Sequence, residues 1–321
     1  MLQTQLAFAR QSILDVLGQC RPDLVEFGGQ TLDRVSPPDW TLEWYLPLWL
    51  GRRFELTPAQ ERQLVLNSAW GLISVRLSDD LQDGELPERA ASLARRLGPF
   101  CYDQAVAGYH SLFDQDSPFW NLFHLYLARW RASAADQAGP ELTIDPANPA
   151  SARGLADRGA PLKIAAAAAC FLAGRGDAVP PIEALLNDIL LALVLYDHAA
   201  DWTQDLAAGR TNAFVACLSP GPQTPDQSET RRSQVLGKLF LGDASRAYFD
   251  SISALISSAR TCSRELGLAD LAFYLDDLQE EVSAFHSSWA DGYAARRREA
   301  TAQLFGPAYR DALAREGRKE E

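Results

Sequence analysis

Residues 182–196, Ile182-Glu-Ala-Leu-Leu-Asn-Asp-Ile-Leu-Leu-Ala-Leu-Val-Leu-Tyr196, form an apolar, helix-patterned run. It closes on Asp197-His-Ala-Ala-Asp201-Trp-Thr-Gln-Asp205-Leu-Ala-Ala-Gly209-Arg210-Thr211-Asn212. Four-residue spacing puts Asp197, Asp201 and Asp205 on one helical face at about one-turn intervals. About 115 residues earlier the pattern recurs: the apolar stretch Ala69 to Ser78 runs into Asp79-Asp80-Leu81-Gln82-Asp83-Gly84. Asp79 and Asp83 share a face there, and Asp80 points about 100° away. Like charges at that spacing repel, and aspartate is a poor helix-interior residue, so both clusters carry a local cost that a cation would offset. All-oxygen ligands, with no His or Cys at metal-ligand spacing, suit Mg²⁺, which usually binds one or two carboxylates together with a substrate phosphate. The six aspartates are therefore the metal candidates.

The spacing and flanking residues together resemble the class I isoprenoid synthases. Asp79-Asp80-x-x-Asp83 resembles the first aspartate-rich motif of trans-prenyl diphosphate synthases and terpene synthases; with Gly84 it is also similar to that of phytoene and squalene synthases. Asp201-Trp-Thr-Gln-Asp205-Leu-Ala-Ala-Gly209-Arg210 has the spacing of the second motif in the squalene and phytoene synthase branch. Gly159-Ala-Pro-Leu-Lys163, ahead of an alanine-rich helix, is similar to the basic residue and small-residue helix of prenyl synthases. The resemblance covers residues 60–215 and departs from the family in three places: the second motif lacks the adjacent aspartate pair of prenyl synthases and the Asn/Ser/Glu triad of typical terpene cyclases, and two elements outside it differ. Phe27-Gly28-Gly29-Gln30-Thr31 lacks the base of the co-substrate element, and Glu85-Leu86-Pro87-Glu88-Arg89 stands where an Arg-Arg-Gly would follow the first motif.

The resemblance implies a class I isoprenoid synthase-like helical bundle with a central active-site cavity. It also implies a Mg²⁺-dependent terpene synthase-like enzyme that ionises a small-molecule prenyl diphosphate and cyclises or quenches the carbocation. Two alternatives stay open: a prenyltransferase, head-to-head or head-to-tail, and a non-catalytic prenyl diphosphate-binding homologue. A homodimer is compatible with the family. Metal coordination would stabilise negative charge as the C–O bond breaks, so no protein nucleophile is needed. Asp79, Asp83, Asp201, Asp205 and Arg210 then carry the chemistry, with Arg210, Lys163 and Arg76 as diphosphate contacts. Arg76, three residues before Asp79, has an alternative role as a structural ion-pair partner. Trp289 and Tyr293, four apart on a late helix, are cavity candidates because the family places its last long helix over the site. Asn212 and Tyr196 complete the substrate-side set.

Composition agrees with a helical enzyme. The chain has 321 residues and is 47% hydrophobic, ample for a sizeable core. Periodicity predicts helices over 3–18, 39–50, 58–78, 87–97, 99–115, 118–134, 160–174, 180–208, 229–240, 244–266, 268–299 and 302–316, with no convincing strand. We therefore expect one all-α domain over 1–321, in which the N-terminal helices 1–57 and the C-terminal 301–321 are peripheral. The Pro-bearing segments 136–158 and 218–228 read as loops, the second placed to close over a bound diphosphate.

A net charge of −12 argues against nucleic acid or an anionic membrane as partner. Ile164 to Ala173 is too short to span a bilayer, so no integral membrane segment is expected. Met1 to Leu17 is amphipathic rather than a signal peptide, which makes the cytoplasm the expected location. Five widely spaced cysteines without a C-x-x-C pair read as reduced thiols. The four histidines lack metal-ligand spacing, and His198 reads as a packing residue.

Overall fold

The computed structural model describes residues 2–84, 86–135, 149–220, 227–241 and 245–305. Their regular structure is all helix, and no strand occurs among the described residues, as the sequence predicts. Backbone contacts group the chain into two compact units. One comprises Met1–Asp136, Gly154–Leu190 and Ser258–Phe273; the other Gln137–Arg153, Leu191–Ser257 and Tyr274–Glu321. This grouping leaves the one-domain organisation as an expectation.

The first unit is built on α1 (Leu2–Cys20), α2 (Val25–Arg34), α3 (Thr41–Arg53), α4 (Pro58–Gln82), α5 (Glu88–His110), α6 (Phe119–Ala135) and α7 (Leu162–Leu172), with the beginning of α8 (Val179–Ala200). Thr57 starts α4 through a capping box with Gln60, and Pro58 occupies the first turn, where its missing N–H costs nothing. Residues three or four apart then form one buried stripe, Val65, Ala69, Ile73 and Leu77 on α4, against Ile13 and Leu17 of α1 and Ala94, Leu97, Cys101 and Ala105 of α5. Asp80 continues that stripe one turn beyond Leu77, and this decides its role.

Several elements differ from expectation. Helix α2 falls in a stretch, 19–38, to which periodicity assigned no helix. A Cβ on Gly28 would lie 2.5 Å from Leu17 Cδ1, so glycine there lets α1 approach. Helix α5 runs through Pro99 instead of ending before it. Pro99 and Arg95 are both exposed, so the hydrogen bond that Pro99 cannot donate is lost on the outer side of the helix. The predicted helix 180–208 breaks at Asp201 (φ −103°, ψ 10°) into α8 and α9 (Trp202–Ala207). The predicted loops over 136–158 and 218–228 lie largely outside the described residues; their described ends are helical, Pro149–Gly159 being a 3₁₀ helix and Ala213–Leu218 an α-helix, α10.

The second unit contains the end of α8, then α9, α10, α11 (Ser228–Leu241), most of α12 (Arg246–Glu265) and most of α13 (Ala269–Phe305). Helix α13 passes without interruption through the expected break near residue 300. Tyr248, Phe249, Ile252 and Ile256 on α12 and Leu275, Leu278 and Val282 on α13 are the buried faces.

One helix bears on the expectation of no integral membrane segment. Gly176–Ala200 is a 25-residue helical run of hydropathy 1.8, long and apolar enough to cross a bilayer. Because 56% of its most apolar window is buried inside the protein, it also has the character of a core helix, and a single such run is weak ground for a membrane span.

Candidate functional site

In the first unit the three aspartates at the end of α4 have separate surroundings. Asp80 is buried, and its side chain is wholly shielded from solvent. Arg34 Nη2, from the last residue of α2, donates to Asp80 Oδ2 at 2.6 Å. Arg76 Nη2 stands 2.8 Å from Oδ1 in an ion pair that falls short of hydrogen-bond geometry, and the same guanidinium lies over the Trp40 ring at 5.8 Å. Two guanidiniums thus satisfy the charge that the sequence reading gave to a metal. Arg76, expected beside Asp79, takes the structural role on Asp80.

Asp79 and Asp83 lie on the half-buried side of the helix end, where Asp83 caps α4 and its N–H returns to the Asp79 carbonyl at 2.9 Å. Burial pushes the Asp79 carboxyl up to about 6. The charges of Asp83 and Asp80 add to that shift, while Arg76 and a hydrogen bond from Trp130 oppose it. Trp130 was not foreseen: it sits on α6, and no local pattern pairs it with Asp79.

Lys163 does not lie beside these carboxylates as an exposed phosphate contact. It is 1% exposed, and its Nζ donates to Asn187 Oδ1 at 2.5 Å, with Asp157 Oδ1 at 3.8 Å and the Tyr126 ring at 5.9 Å. Burial lowers its pKa, against the pull of Asp157 and Glu183. Glu183 in turn accepts from Arg129 at 2.7 Å and from the Tyr126 hydroxyl at 3.3 Å. The depression beside this network is walled by Ala166, Val179, Ile182 and Leu186. It encloses about 170 Å³ including space open to solvent, below the ~300–1,000 Å³ of ordinary ligand pockets. It is no hydrocarbon cavity.

In the second unit the motif turns sharply. Asp197 is exposed, whereas Asp201 and Asp205 are half-buried. Backbone bonds from Asp201 N to Asp197 O (2.8 Å) and from Asp205 N to Asp201 O (3.0 Å) carry the helical path through the kink. Gly209 then takes φ +68°, and Arg210 N–H reaches back to the Asp205 carbonyl at 2.8 Å, a left-handed stop that only glycine adopts cheaply. This returns Arg210 toward the motif: its Nη1 is 3.9 Å from Asp205 Oδ1, with 41% of the side chain exposed.

Asn212, expected on the substrate side, is fully buried. Its Nδ2 donates to Asp205 Oδ2 at 2.7 Å and to the His198 carbonyl at 2.9 Å. His198, also buried, accepts the Ala213 N–H on Nδ1 at 3.0 Å, the packing role its sequence position suggested.

Tyr196, Trp289 and Tyr293 do come together. Tyr196 packs edge-on to Phe285 (5.4 Å between centroids), Phe285 meets Trp289 at 5.4 Å, and Trp289 meets Tyr293 at 6.0 Å. Phe214 and Phe249 complete the cluster beneath Trp289. Tyr196 also donates its hydroxyl to Glu281 at 3.0 Å.

Among the described residues no group of three or more His, Cys, Asp or Glu side chains is arranged to hold a metal ion. What the motifs offer is Asp79 with Asp83, which feel each other's charge, and Asp201 and Asp205, four residues apart across the kink. Two carboxylates fit Mg²⁺ when phosphate oxygens and water complete its shell, and they do not fit an ion held by protein alone. No protein-family model and no curated protein matches the chain, so the resemblance rests on the motifs themselves.

Proposed function

We propose that the chain is a Mg²⁺-dependent enzyme of the class I isoprenoid synthase type, which ionises an allylic prenyl diphosphate and cyclises or quenches the carbocation. The observation that carries this reading is the Asp79–Asp83 pair at the end of a buried helix, with Asp79 pushed up to about 6 by burial and by its neighbouring carboxylates. Such a pair is costly without a cation and well suited to one that arrives with a diphosphate.

Asp79 and Asp83 in the first unit, and Asp201 and Asp205 in the second, would each offer ligands to Mg²⁺, which when bound makes diphosphate a competent leaving group. Arg210 would donate to the departing diphosphate oxygens, since its guanidinium is partly exposed and held on the motif side by the Gly209 turn. Trp289 and Tyr293, both half-buried, would present ring faces to a developing cation. Asp80 and Asn212 support the ligands from within the protein.

The test is incubation of pure protein with Mg²⁺ and geranyl, farnesyl or geranylgeranyl diphosphate, with product analysis by gas chromatography and mass spectrometry. Hydrocarbon or terpene alcohol is expected, and loss of turnover by orders of magnitude in Asp83→Ala. All three diphosphates left intact would overturn the proposal. The Gly209–Arg210 turn beside Asp205 favours a second reading, head-to-head prenyl transfer, for which the product would carry twice the substrate's carbon count.

A further inference from the structure

Asn212 presents no exposed atom to a substrate, and its amide ties three helices together. Its Oδ1 accepts the Val215 N–H at 3.0 Å and so caps α10, while Nδ2 bonds the end of α8 through the His198 carbonyl and α9 through Asp205 Oδ2. The amide orientation follows from these partners. Val215 supplies a donor, and His198 O and Asp205 supply acceptors, so a flipped amide would set oxygen against two oxygens and nitrogen against N–H. At 0% exposure each of those clashes would go uncompensated by water.

We propose that Asn212 is the positioning residue of the second motif: it fixes one oxygen of Asp205, leaving Oδ1 toward Arg210. The kink at Asp201 makes such a device necessary. Asp205 lies on a six-residue helix that begins after the break, so α8 alone does not set where its carboxylate stands. A carboxylate held by a buried amide has lost its rotamer freedom before any cation arrives, and partners of this kind typically change metal affinity 10- to 100-fold. The functional consequence rests on the proposed reading of Asp205 as a Mg²⁺ ligand; the hold itself does not.

Asn212→Asp separates the two. It keeps an oxygen to cap Val215 and puts the other against Asp205 and the His198 carbonyl, so the cap survives and the contact becomes repulsive. Asp205→Asn in the same chain exchanges donor and acceptor. In thermal unfolding, Asn212→Asp should lower the midpoint by several degrees, and the double variant should recover more than half of that loss. The Mg²⁺ concentration giving half-maximal stabilisation by inorganic diphosphate should rise about 10- to 100-fold in Asn212→Asp. Additive effects of the two substitutions on unfolding, or an unchanged Mg²⁺ dependence, would overturn the inference. A wild-type chain that gains no stability from Mg²⁺ and inorganic diphosphate would overturn the proposed function instead. The unfolding cycle needs no ligand and would still decide whether Asn212 holds Asp205.

Discussion

Arg34 Nη2 stands 2.6 Å from Asp80 Oδ2 and so ties the last residue of α2 to the last buried turn of α4. With Arg76 on the other oxygen, the middle aspartate of the first motif is a buried anion with two cations of its own. Removing its charge takes the shared partner from two guanidiniums that are 45% and 34% exposed. Asp80→Ala should destabilise the chain by about 1–3 kcal/mol in denaturant unfolding, less than for a wholly buried pair because water reaches both remaining cations. Asp83→Ala, at the half-buried helix end, should cost under about 1 kcal/mol. Equal losses would contradict the ion-pair role.

Asp79 makes stability depend on pH in the opposite sense from an ion-paired carboxylate. Its folded value of about 6 lies above the ordinary 3.8, so below 3.8 it is protonated in both states and costs nothing. As pH rises toward 6 the unfolded chain has already released its proton, and the folded chain can follow only by burying a charge. Stability is therefore lost over that window. Asp79→Asn should leave stability unchanged at about pH 3 and raise it by about 1–2 kcal/mol at about pH 8, after allowance for partial exposure. Denaturant titrations across pH would show it, and added Mg²⁺ should stabilise the wild type more than the variant.

Lys163 is held by Asn187 and faces Asp157. Lys163→Met should cost about 1–3 kcal/mol of stability by leaving those oxygens unpaired. Binding of inorganic diphosphate, measured by calorimetry, should be unchanged, because a side chain 1% exposed within its own network offers it no contact.

Gly209 has φ +68°. Gly209→Ala should cost about 1–2 kcal/mol from left-handed strain and should weaken diphosphate inhibition of turnover as well, since the turn it distorts aims Arg210. Loss of stability with unchanged inhibition would remove Arg210 from the site.

Much of the secondary structure was legible because helix formation leaves a periodic trace. The stripe from Val65 to Leu77, the capping box at Thr57 and the apolar run before Tyr196 all follow from residues within a few turns of one another. What misled was punctuation. The stretch around Gly28 carries no helical period of its own until Leu17 is seen against it, and Pro99 reads as a stop although α5 continues through it on an exposed side.

The sequence by itself determined the all-helical class; the pairing of Asp79 with Asp83 and of Asp201 with Asp205 is an expectation from i,i+4 spacing, and the break at Asp201 takes the second pair off a single helix. Only the tertiary structure decided what each of those side chains does. Asp80 and Asp79 are neighbours of the same type. One meets Arg34 from 46 residues away and is neutralised; the other meets Trp130 and Asp83 and keeps a costly charge. Asn212 is likewise turned from a substrate candidate into a clamp by His198 and Asp205, which a break at Asp201 folds back onto it. Spacing sets direction along one helix, whereas charge compensation depends on which other helix arrives, and that is a property of the packed chain.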